Sequence, residues 1–159
     1  MSRIIYQAGP LFTQSEKAFH QKLSAALRAA GHKVIWPGDL IEAEQIAASG
    51  PGAVSLIFGV CRLAIDKCTC MVALLDGTQV DDGTAWEIGY AYARGLPVYG
   101  LRTDSRMGGE TGHNHVNSMI EGSLSGLAGD IKALVKLLQE VTADNVADGA
   151  SGHDRQLEP

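Results

Sequence analysis

An uninterrupted apolar segment, residues 71–75, constrains the fold of this chain more than any other feature of its sequence. Its five residues, Met-Val-Ala-Leu-Leu, have the length of a strand, and none of them is polar. A strand without polar alternation is covered on both faces, as in the parallel sheets of α/β proteins. We therefore expect this segment to be a central parallel strand.

The segments on either side alternate between strand and helix signals. Further strands are predicted at residues 3–8, 33–36 and 97–101. Helices are predicted at residues 13–30, 53–67 and 83–94, and a last amphipathic helix is marked by Leu127, Ile131, Leu134, Val135 and Leu138. Alternation of this kind favours an α/β fold with a parallel sheet and helices on both faces.

The remaining segments define the extent of the domain. Residues 39–52 are ambiguous, with helical character near residues 41–48, and residues 102–116 form a long polar stretch typical of a functional or mobile loop. Residues 142–159 have little apolar content and no clear period, which predicts a disordered tail. A single domain is thus expected within residues 1–141.

Charge and cysteine content narrow the class of partner. The 159 residues include 13 Lys and Arg against 18 Asp and Glu, a net charge of −5, and no basic stripe is visible. This balance argues against nucleic acid or an anionic membrane as the main partner. No apolar run approaches the roughly 20 residues of a transmembrane helix, the N-terminus does not resemble a signal peptide, and three cysteines fit a reducing cytoplasm. We expect a cytoplasmic protein that acts on a small molecule.

The sequence predicts no cofactor and no metal. Neither GxGxxG nor GxxxxGK[ST] occurs, so no phosphate-cradling loop is expected. The spacing of Cys61, Cys68 and Cys70 is unlike that of zinc sites, and His113 and His115 lie in a polar loop without an acidic partner. Buried thiols and loop histidines are the default interpretation for these side chains.

The loop and helix after the apolar strand contain the most informative side chains. In parallel sheets, ligands bind outside the carboxyl ends of the strands. Glu87 lies near the predicted helix start, where Asp82 or Thr84 could be the cap and the helix dipole favours an ionised carboxylate. Such a carboxylate can attack an anomeric carbon and form a glycosyl intermediate. Spacing alone favours the simpler interpretation, in which Glu87 and the aspartates cap the helix and face water.

Two features at the end of the first predicted strand lie at the same carboxyl edge of the predicted sheet. The hydroxyl of Tyr6 could orient a glutamate by a hydrogen bond, although a core tyrosine with a satisfied hydroxyl is the simpler interpretation. Gly9 and Pro10 allow a tight turn and a close backbone approach to a ligand.

Three motifs in order carry a resemblance to a known family. They are Ile-Tyr-Gln-Ala-Gly-Pro-Leu-Phe at residues 5–12, Asp-Asp-Gly-Thr-Ala-Trp-Glu-Ile-Gly-Tyr-Ala at 81–91, and Val-Asn-Ser-Met-Ile at 116–120. Over about residues 3–124 the chain resembles the nucleoside 2-deoxyribosyltransferases. The resemblance implies a flavodoxin-like (Rossmann-like) α/β fold and transfer of 2-deoxyribose between nucleobases in nucleoside salvage, with no cofactor. It also implies a homo-oligomer, a dimer or larger, with shared active sites.

The resemblance also implies roles for individual residues. Glu87 matches the nucleophile, Tyr6 matches the residue that orients it, and Asp81 matches a residue that holds sugar hydroxyls. Asn117 and Met119 match residues that line a neighbouring subunit's site. Together, the expected substrate-binding residues are Gln7, Gly9, Pro10, Asp76, Gly83, Asn117 and Met119.

Two positions depart from the family pattern and leave alternatives open. Cys61 and Thr69 stand where family members commonly carry aspartates, and the first of those aspartates is thought to help protonate the leaving base. A hydrolase of 2′-deoxynucleosides or of their 5′-monophosphates therefore remains an alternative, as does a non-catalytic nucleoside-binding module. Asp81 would repel a dianionic phosphate, which favours unphosphorylated substrates.

Overall fold

The computed structural model describes residues 2–147, with the side chains of residues 2–141. The strands are β1 (Ile4–Ala8), β2 (Lys33–Ile35), β3 (Cys70–Leu74), β4 (Val98–Leu101) and β5 (Gly126–Ala128). The helices are α1 (Gln14–Ala29), α2 (Ala43–Ala48), α3 (Ala53–Asp66), α4 (Asp82–Ala93), α5 (Ser118–Glu121) and α6 (Ile131–Ala147). Two 3₁₀ turns, Pro37–Asp39 and Gly50–Gly52, flank α2.

The five strands form one parallel sheet in the order β2-β1-β3-β4-β5. This order is that of flavodoxin-like folds, so the expected architecture is confirmed. The apolar segment that predicted a central strand forms β3, which begins one residue earlier than expected and is buried along its whole length. Hydrogen bonds to both β1 and β4 keep it away from either edge of the sheet.

Helices cover both faces of the sheet. Leu23 and Leu27 of α1 pack with Leu134 and Leu138 of α6 against one face. Ala64 and Ile65 of α3 pack with Ile88 and Ala91 of α4 against the other face. No helix within residues 2–147 combines the length and hydropathy that crossing a bilayer requires.

The fifth strand was not predicted from the sequence. Leu127 was expected at the start of the last helix, but it lies in β5 and the helix begins at Ile131. The spacing from Leu127 to Ile131 fits a helix, which explains the error. A side chain on Gly126 would come within 2.8 Å of a terminal methyl group of Leu137, so β5 and α6 approach each other closely there.

The C-terminal helix extends further than its apolar spacing indicated. It continues through Ala147, into the segment 142–159 that was predicted to be a disordered tail. The remainder of that predicted tail, residues 148–159, lies outside the described residues.

The sheet order creates a crevice beside β1. The chain leaves β1 through α1 on one face and reaches β3 through α3 on the opposite face. Adjacent parallel strands whose connections diverge in this way leave an opening beyond their carboxyl ends. The residues that follow β1 and β3 therefore border a natural ligand site.

Candidate active site

A cavity of about 570 Å³ opens at the carboxyl ends of β1 and β3. Its volume lies within the range of small-molecule sites. Much of its wall is apolar and comes from the segments after β1 and β2 and from α2 and α3: Leu11, Phe12, Trp36, Ile41, Ile46 and Ile57. Its polar side chains include Cys61, Asp81, Thr84 and Glu87, so carboxylates from the loop and helix after β3 share the cavity with an apolar wall.

Glu87 and Tyr6 form a hydrogen-bonded pair at this cavity. Tyr6 is a fully buried residue of β1, and its hydroxyl donates to Oε1 of Glu87 at 2.5 Å. Burial, followed by the negative charge of Glu87, raises the pKa of Tyr6 far above its usual value, so the phenol stays protonated and acts as donor. The tyrosine is thus a core residue whose hydroxyl is satisfied by the glutamate.

Glu87 is protonated more readily than a solvent-exposed glutamate. Burial raises its pKa to about 7, the nearby Asp81 carboxylate also raises it, and the hydrogen bond from Tyr6 lowers it. The helix dipole was expected to favour the ionised form, but Glu87 is the sixth residue of α4, beyond the first turn where the dipole acts most strongly. Desolvation therefore dominates, and the group titrates near neutral pH.

Asp81 caps the helix that carries Glu87. Its Oδ2 accepts from the backbone N–H of Thr84 at 2.9 Å and from the Thr84 hydroxyl at 3.0 Å. The sequence had indicated Asp82 or Thr84 as the cap, but Asp82 bonds only the N–H of Gly83 next to it. Gly83 also lines the cavity, and a side chain there would come within 3.3 Å of Oδ2 of Asp81.

Gly9 lines the cavity and allows the chain to pass close to the ring of His20. Its φ of +150° is a conformation that other residues rarely adopt, and an added Cβ would come within 2.6 Å of His20. Gly9, Leu11 and Phe12 line the cavity, whereas Pro10 between them does not.

Comparisons with known proteins agree with this arrangement. The family model of nucleoside 2-deoxyribosyltransferase matches residues 5–119, which include Tyr6, Asp81 and Glu87. The chain belongs to this family. An uncharacterised protein of Schizosaccharomyces pombe is 32% identical over 108 residues, which are 65% of this chain and 51% of that protein. The chain thus spans about half the length of this relative.

Solved structures of similar proteins fit the family assignment. A conserved protein of Enterococcus faecalis V583 superimposes with a TM-score of 0.66 and 25% identity, over 89% of this chain and 99% of that one. A 2-deoxyribosyltransferase of Bacillus psychrosaccharolyticus gives a TM-score of 0.67 and 26% identity, over 81% and 88%. A CMP N-glycosidase of Clostridium botulinum, at 19% identity and a TM-score of 0.55 over 86% and 98%, shares the fold.

Two residues expected to bind substrate in a deoxyribosyltransferase-family site lie away from the cavity. The amide of Gln7 is buried, donates to the ring and backbone of His20, and accepts from the Ser24 hydroxyl. The carboxylate of Asp76 accepts three hydrogen bonds from Thr103 and Asp104, which join the ends of β3 and β4. The polar atoms of both side chains are therefore hydrogen-bonded within the protein.

Asn117 and Met119, which the resemblance places in a neighbouring subunit's site, both lie outside the cavity of Glu87, and Asn117 lines a second opening. Asn117 caps α5 by accepting from the N–H of Met119, and it donates to Glu110. It lines a cavity of about 390 Å³ together with Arg102 and His115, separate from the cavity of Glu87. Met119 is 80% exposed. Within the single chain, neither residue meets Glu87.

Sequence reasoning missed the contribution of Trp36 and Thr84 to the cavity. Trp36 follows β2, whose carboxyl end lies at the same edge of the sheet as that of β1, so the parallel arrangement was an available signal. Thr84 was considered only as a helix cap, yet it is 2% exposed and lines the cavity. Its role depends on where the carboxylate of Asp81 points, which spacing does not reveal.

Cys61, at which the resemblance led us to expect an aspartate, lines the cavity. Burial raises the pKa of its thiol, and its hydrogen bond with the Tyr6 hydroxyl only partly opposes this effect. The thiol therefore remains neutral. Within the part of the chain that the structure describes, no three His, Cys, Asp or Glu side chains cluster as metal ligands.

Proposed function

We propose that this protein transfers 2-deoxyribose from one nucleobase to another through a covalent deoxyribosyl intermediate on Glu87. The observation that carries the proposal is the hydrogen bond from Tyr6 to Glu87 inside a cavity at the switch point of the sheet. Tyr6 holds Oε1, which leaves Oε2 of Glu87 free to act as the nucleophile. A positioned carboxylate of this kind is what a retaining glycosyl transfer requires.

The proposed reaction has two displacement steps. Oε2 of ionised Glu87 forms a bond to C1′ while the N-glycosidic bond breaks, and the electron pair of that bond leaves with the base, which takes up a proton from water. A nitrogen of the second base then attacks C1′ and releases its proton to water, the ester bond to Glu87 breaks, and the carboxylate is regenerated. Because the pKa of Glu87 is about 7, a large fraction of the enzyme holds the reactive carboxylate at neutral pH.

The charges around the cavity support an unphosphorylated substrate. The lining includes three carboxylates, Glu42, Asp81 and Glu87, and one cation, Lys17. A dianionic 5′-phosphate would be repelled by this excess of negative charge, whereas the hydroxyls of a free deoxynucleoside can donate to it. The proposal therefore specifies free 2′-deoxynucleosides rather than their 5′-monophosphates.

Hydrolysis is the second candidate, because water can reach the cavity of the single chain. Lys17 and Glu42 line it and are exposed, and Phe12 at its wall is 75% exposed. A glycosyl-enzyme that water reaches before a second base would be hydrolysed. Transfer requires that this opening be covered during the reaction.

We propose that a second copy of the chain supplies part of that cover. Asn117 and the exposed Met119 have no contact with Glu87 in their own chain, which fits residues that complete a neighbour's cavity. Val54, Phe58 and Trp86 form an exposed apolar surface on α3 and α4, and surfaces of this kind often mark sites of protein–protein contact. A dimer or a larger homo-oligomer is therefore part of the proposal.

The proposed location is the cytoplasm. Cys61, Cys68 and Cys70 are all free thiols. Unpaired cysteines are typical of proteins in reducing compartments, where free nucleosides and bases are exchanged.

The proposal is tested by product analysis with deoxyinosine as donor and adenine as acceptor. Deoxyadenosine from the parent protein, and none from Glu87→Ala, is the expected result. Acid-quenched enzyme should also carry one deoxyribosyl group on the peptide that contains Glu87, detected by mass spectrometry. Free hypoxanthine without deoxyadenosine would establish the hydrolase instead, and binding without either product would establish a nucleoside-binding module.

A further inference from the structure

We infer that Thr84 is a positioning residue that fixes which oxygen of Asp81 faces the substrate. The inference rests on the proposed function and names a specificity determinant of the same site. It concerns a residue that makes no proposed contact with the reacting atoms and acts only through Asp81.

The two oxygens of Asp81 have different surroundings. Oδ2 accepts two hydrogen bonds, both from Thr84, through its backbone N–H at 2.9 Å and its hydroxyl at 3.0 Å. No donor within the described residues bonds Oδ1, and Asp81 lines the cavity. An ionised carboxylate has capacity for about four hydrogen bonds, so the unused capacity lies mainly on Oδ1. A hydroxyl of the substrate is the donor that would use it.

The hydroxyl of Thr84 adds a constraint that the helix cap alone does not provide. Any residue other than proline at position 84 would supply the backbone N–H, whereas the short hydroxyl side chain of Thr adds a second donor to the same oxygen. Two donors on one oxygen oppose rotation of the carboxylate, which would exchange Oδ1 and Oδ2. Thr84 is 2% exposed and β-branched, so burial and its restricted χ1 hold the hydroxyl in place.

Gly83 is compatible with the same arrangement. A side chain at this position would come within 3.3 Å of Oδ2, closer than most such contacts, and would press on the oxygen that Thr84 holds. The pair Gly83 and Thr84 thus leaves space for Oδ2 and bonds it, while Oδ1 stays available. Orientation of this kind aligns the sugar before reaction and lowers the entropy lost in reaching the transition state.

The test compares Thr84→Val with Thr84→Ser in the exchange between deoxyinosine and adenine. Valine keeps the shape and the backbone donor but removes the hydroxyl, and we expect KM for deoxyinosine to rise about tenfold with a smaller change in kcat. Serine keeps the hydroxyl and should restore KM to within about twofold of the parent. Combined with Asp81→Ala, the Thr84→Val change should have no further effect on KM, because it acts only through that carboxylate.

Substrate analogues separate positioning from a general loss of structure. Inosine analogues that lack either the 3′-hydroxyl or the 5′-hydroxyl, in addition to the 2′-hydroxyl, each remove one donor. The penalty of Thr84→Val should persist with one analogue and disappear with the analogue that lacks the hydroxyl bound by Asp81. Equal penalties with both analogues, or a lower melting temperature with unchanged KM, would overturn the inference.

The outcome is distinguishable from failure of the proposed function. If the parent does not turn over, the same comparison is made on Kd for deoxyinosine and the two analogues by calorimetry. If the parent binds or reacts, and Thr84→Val gives the same values with deoxyinosine and both analogues, only the role of Thr84 is refuted. A parent that neither reacts with nor binds deoxyinosine refutes the proposed function and this inference together.

Discussion

Two groups of carboxylates lie beyond the sheet's carboxyl edge, and they differ in how much of their hydrogen-bonding capacity the protein uses. Glu110 accepts from Asn114, Asn117 and Ser118, and these bonds, led by the Ser118 hydroxyl, lower its pKa to about 2. Glu87 accepts one bond, from Tyr6, and burial raises its pKa to about 7.

The contrast extends to the two aspartates that follow β3. Asp76 accepts three hydrogen bonds through both of its oxygens and joins two loops. Asp81, which lines the cavity, accepts two bonds on Oδ2 and none from the described residues on Oδ1. A carboxylate that the protein saturates stabilises structure. A carboxylate with unused hydrogen-bonding capacity beside a cavity is available to a ligand. Removing that carboxylate from water lowers the stability of the folded protein.

Replacing Glu87 by Gln should separate these two roles most clearly. Loss of the nucleophile is expected to reduce exchange by at least about a thousandfold. Because the folded-state pKa of Glu87 is raised to about 7 from 4.5, its ionisation opposes folding above that range and has no effect well below pH 4.5. The variant should therefore gain melting temperature relative to the parent at about pH 8 and gain less at about pH 4.

Glu110→Gln is the matched control for that measurement. It removes a charge whose pKa is lowered in the fold, so the parent's advantage is present above the usual glutamate pKa and is lost as the pH falls through about 2. This variant should lose melting temperature at about pH 8. A loss of stability in both variants would show that the two carboxylates do not differ as argued.

Tyr6→Phe tests the single hydrogen bond that the protein gives to Glu87. The bond lowers the pKa of Glu87, so its removal should raise that pKa above about 7 and reduce exchange at neutral pH by about a hundredfold. In the parent, kcat/KM should rise with pH and level off above about 7, since only the ionised form reacts. The midpoint in the variant should lie at higher pH.

Tyr99→Phe is the control for Tyr6→Phe. Tyr99 is a buried tyrosine of β4 in the core on the other face of the sheet, and losing its hydroxyl should leave the pH midpoint unchanged. An unshifted midpoint in Tyr6→Phe as well would mean that the tyrosine is only a packing residue.

The sequence predicted the parts of the site that depend on strand order and failed where burial or local bonding decides. The first strand and the apolar strand, with the motifs that each contains or precedes, predicted Tyr6, Asp81 and Glu87 at one edge of a parallel sheet, and the structure places them there. The helix dipole was expected to favour ionised Glu87, but burial raises its pKa instead, and the amount of burial depends on packing from several elements. The exclusion of Gln7 was predictable, since neighbouring residues of a strand face opposite sides of a sheet.

Asp76→Asn addresses a carboxylate that was expected from the sequence to bind substrate and that accepts three hydrogen bonds from the protein in the structure. Asparagine cannot accept on its nitrogen, so at least one bond from Thr103 should be lost, at a cost of about 1–2 kcal/mol in stability. KM for deoxyinosine should change less than about threefold. Denaturant unfolding measures the change in stability, and exchange kinetics measure the change in KM. A tenfold rise in KM at constant stability would identify Asp76 as a substrate-binding residue.

Cys61→Ala should have the smallest effect. It tests whether the thiol replaces the aspartate that the resemblance implies at this position as the acid for the leaving base. Burial holds the pKa of the thiol above its usual value, which makes it a weak proton donor to a leaving base. We therefore expect exchange rates within about twofold of the parent for both good and poor leaving bases, because Glu87 and Asp81 supply the catalysis without Cys61. A loss that grows as the leaving base becomes poorer would instead identify Cys61 as the acid, and the cavity would then contain a third residue whose protonation state matters.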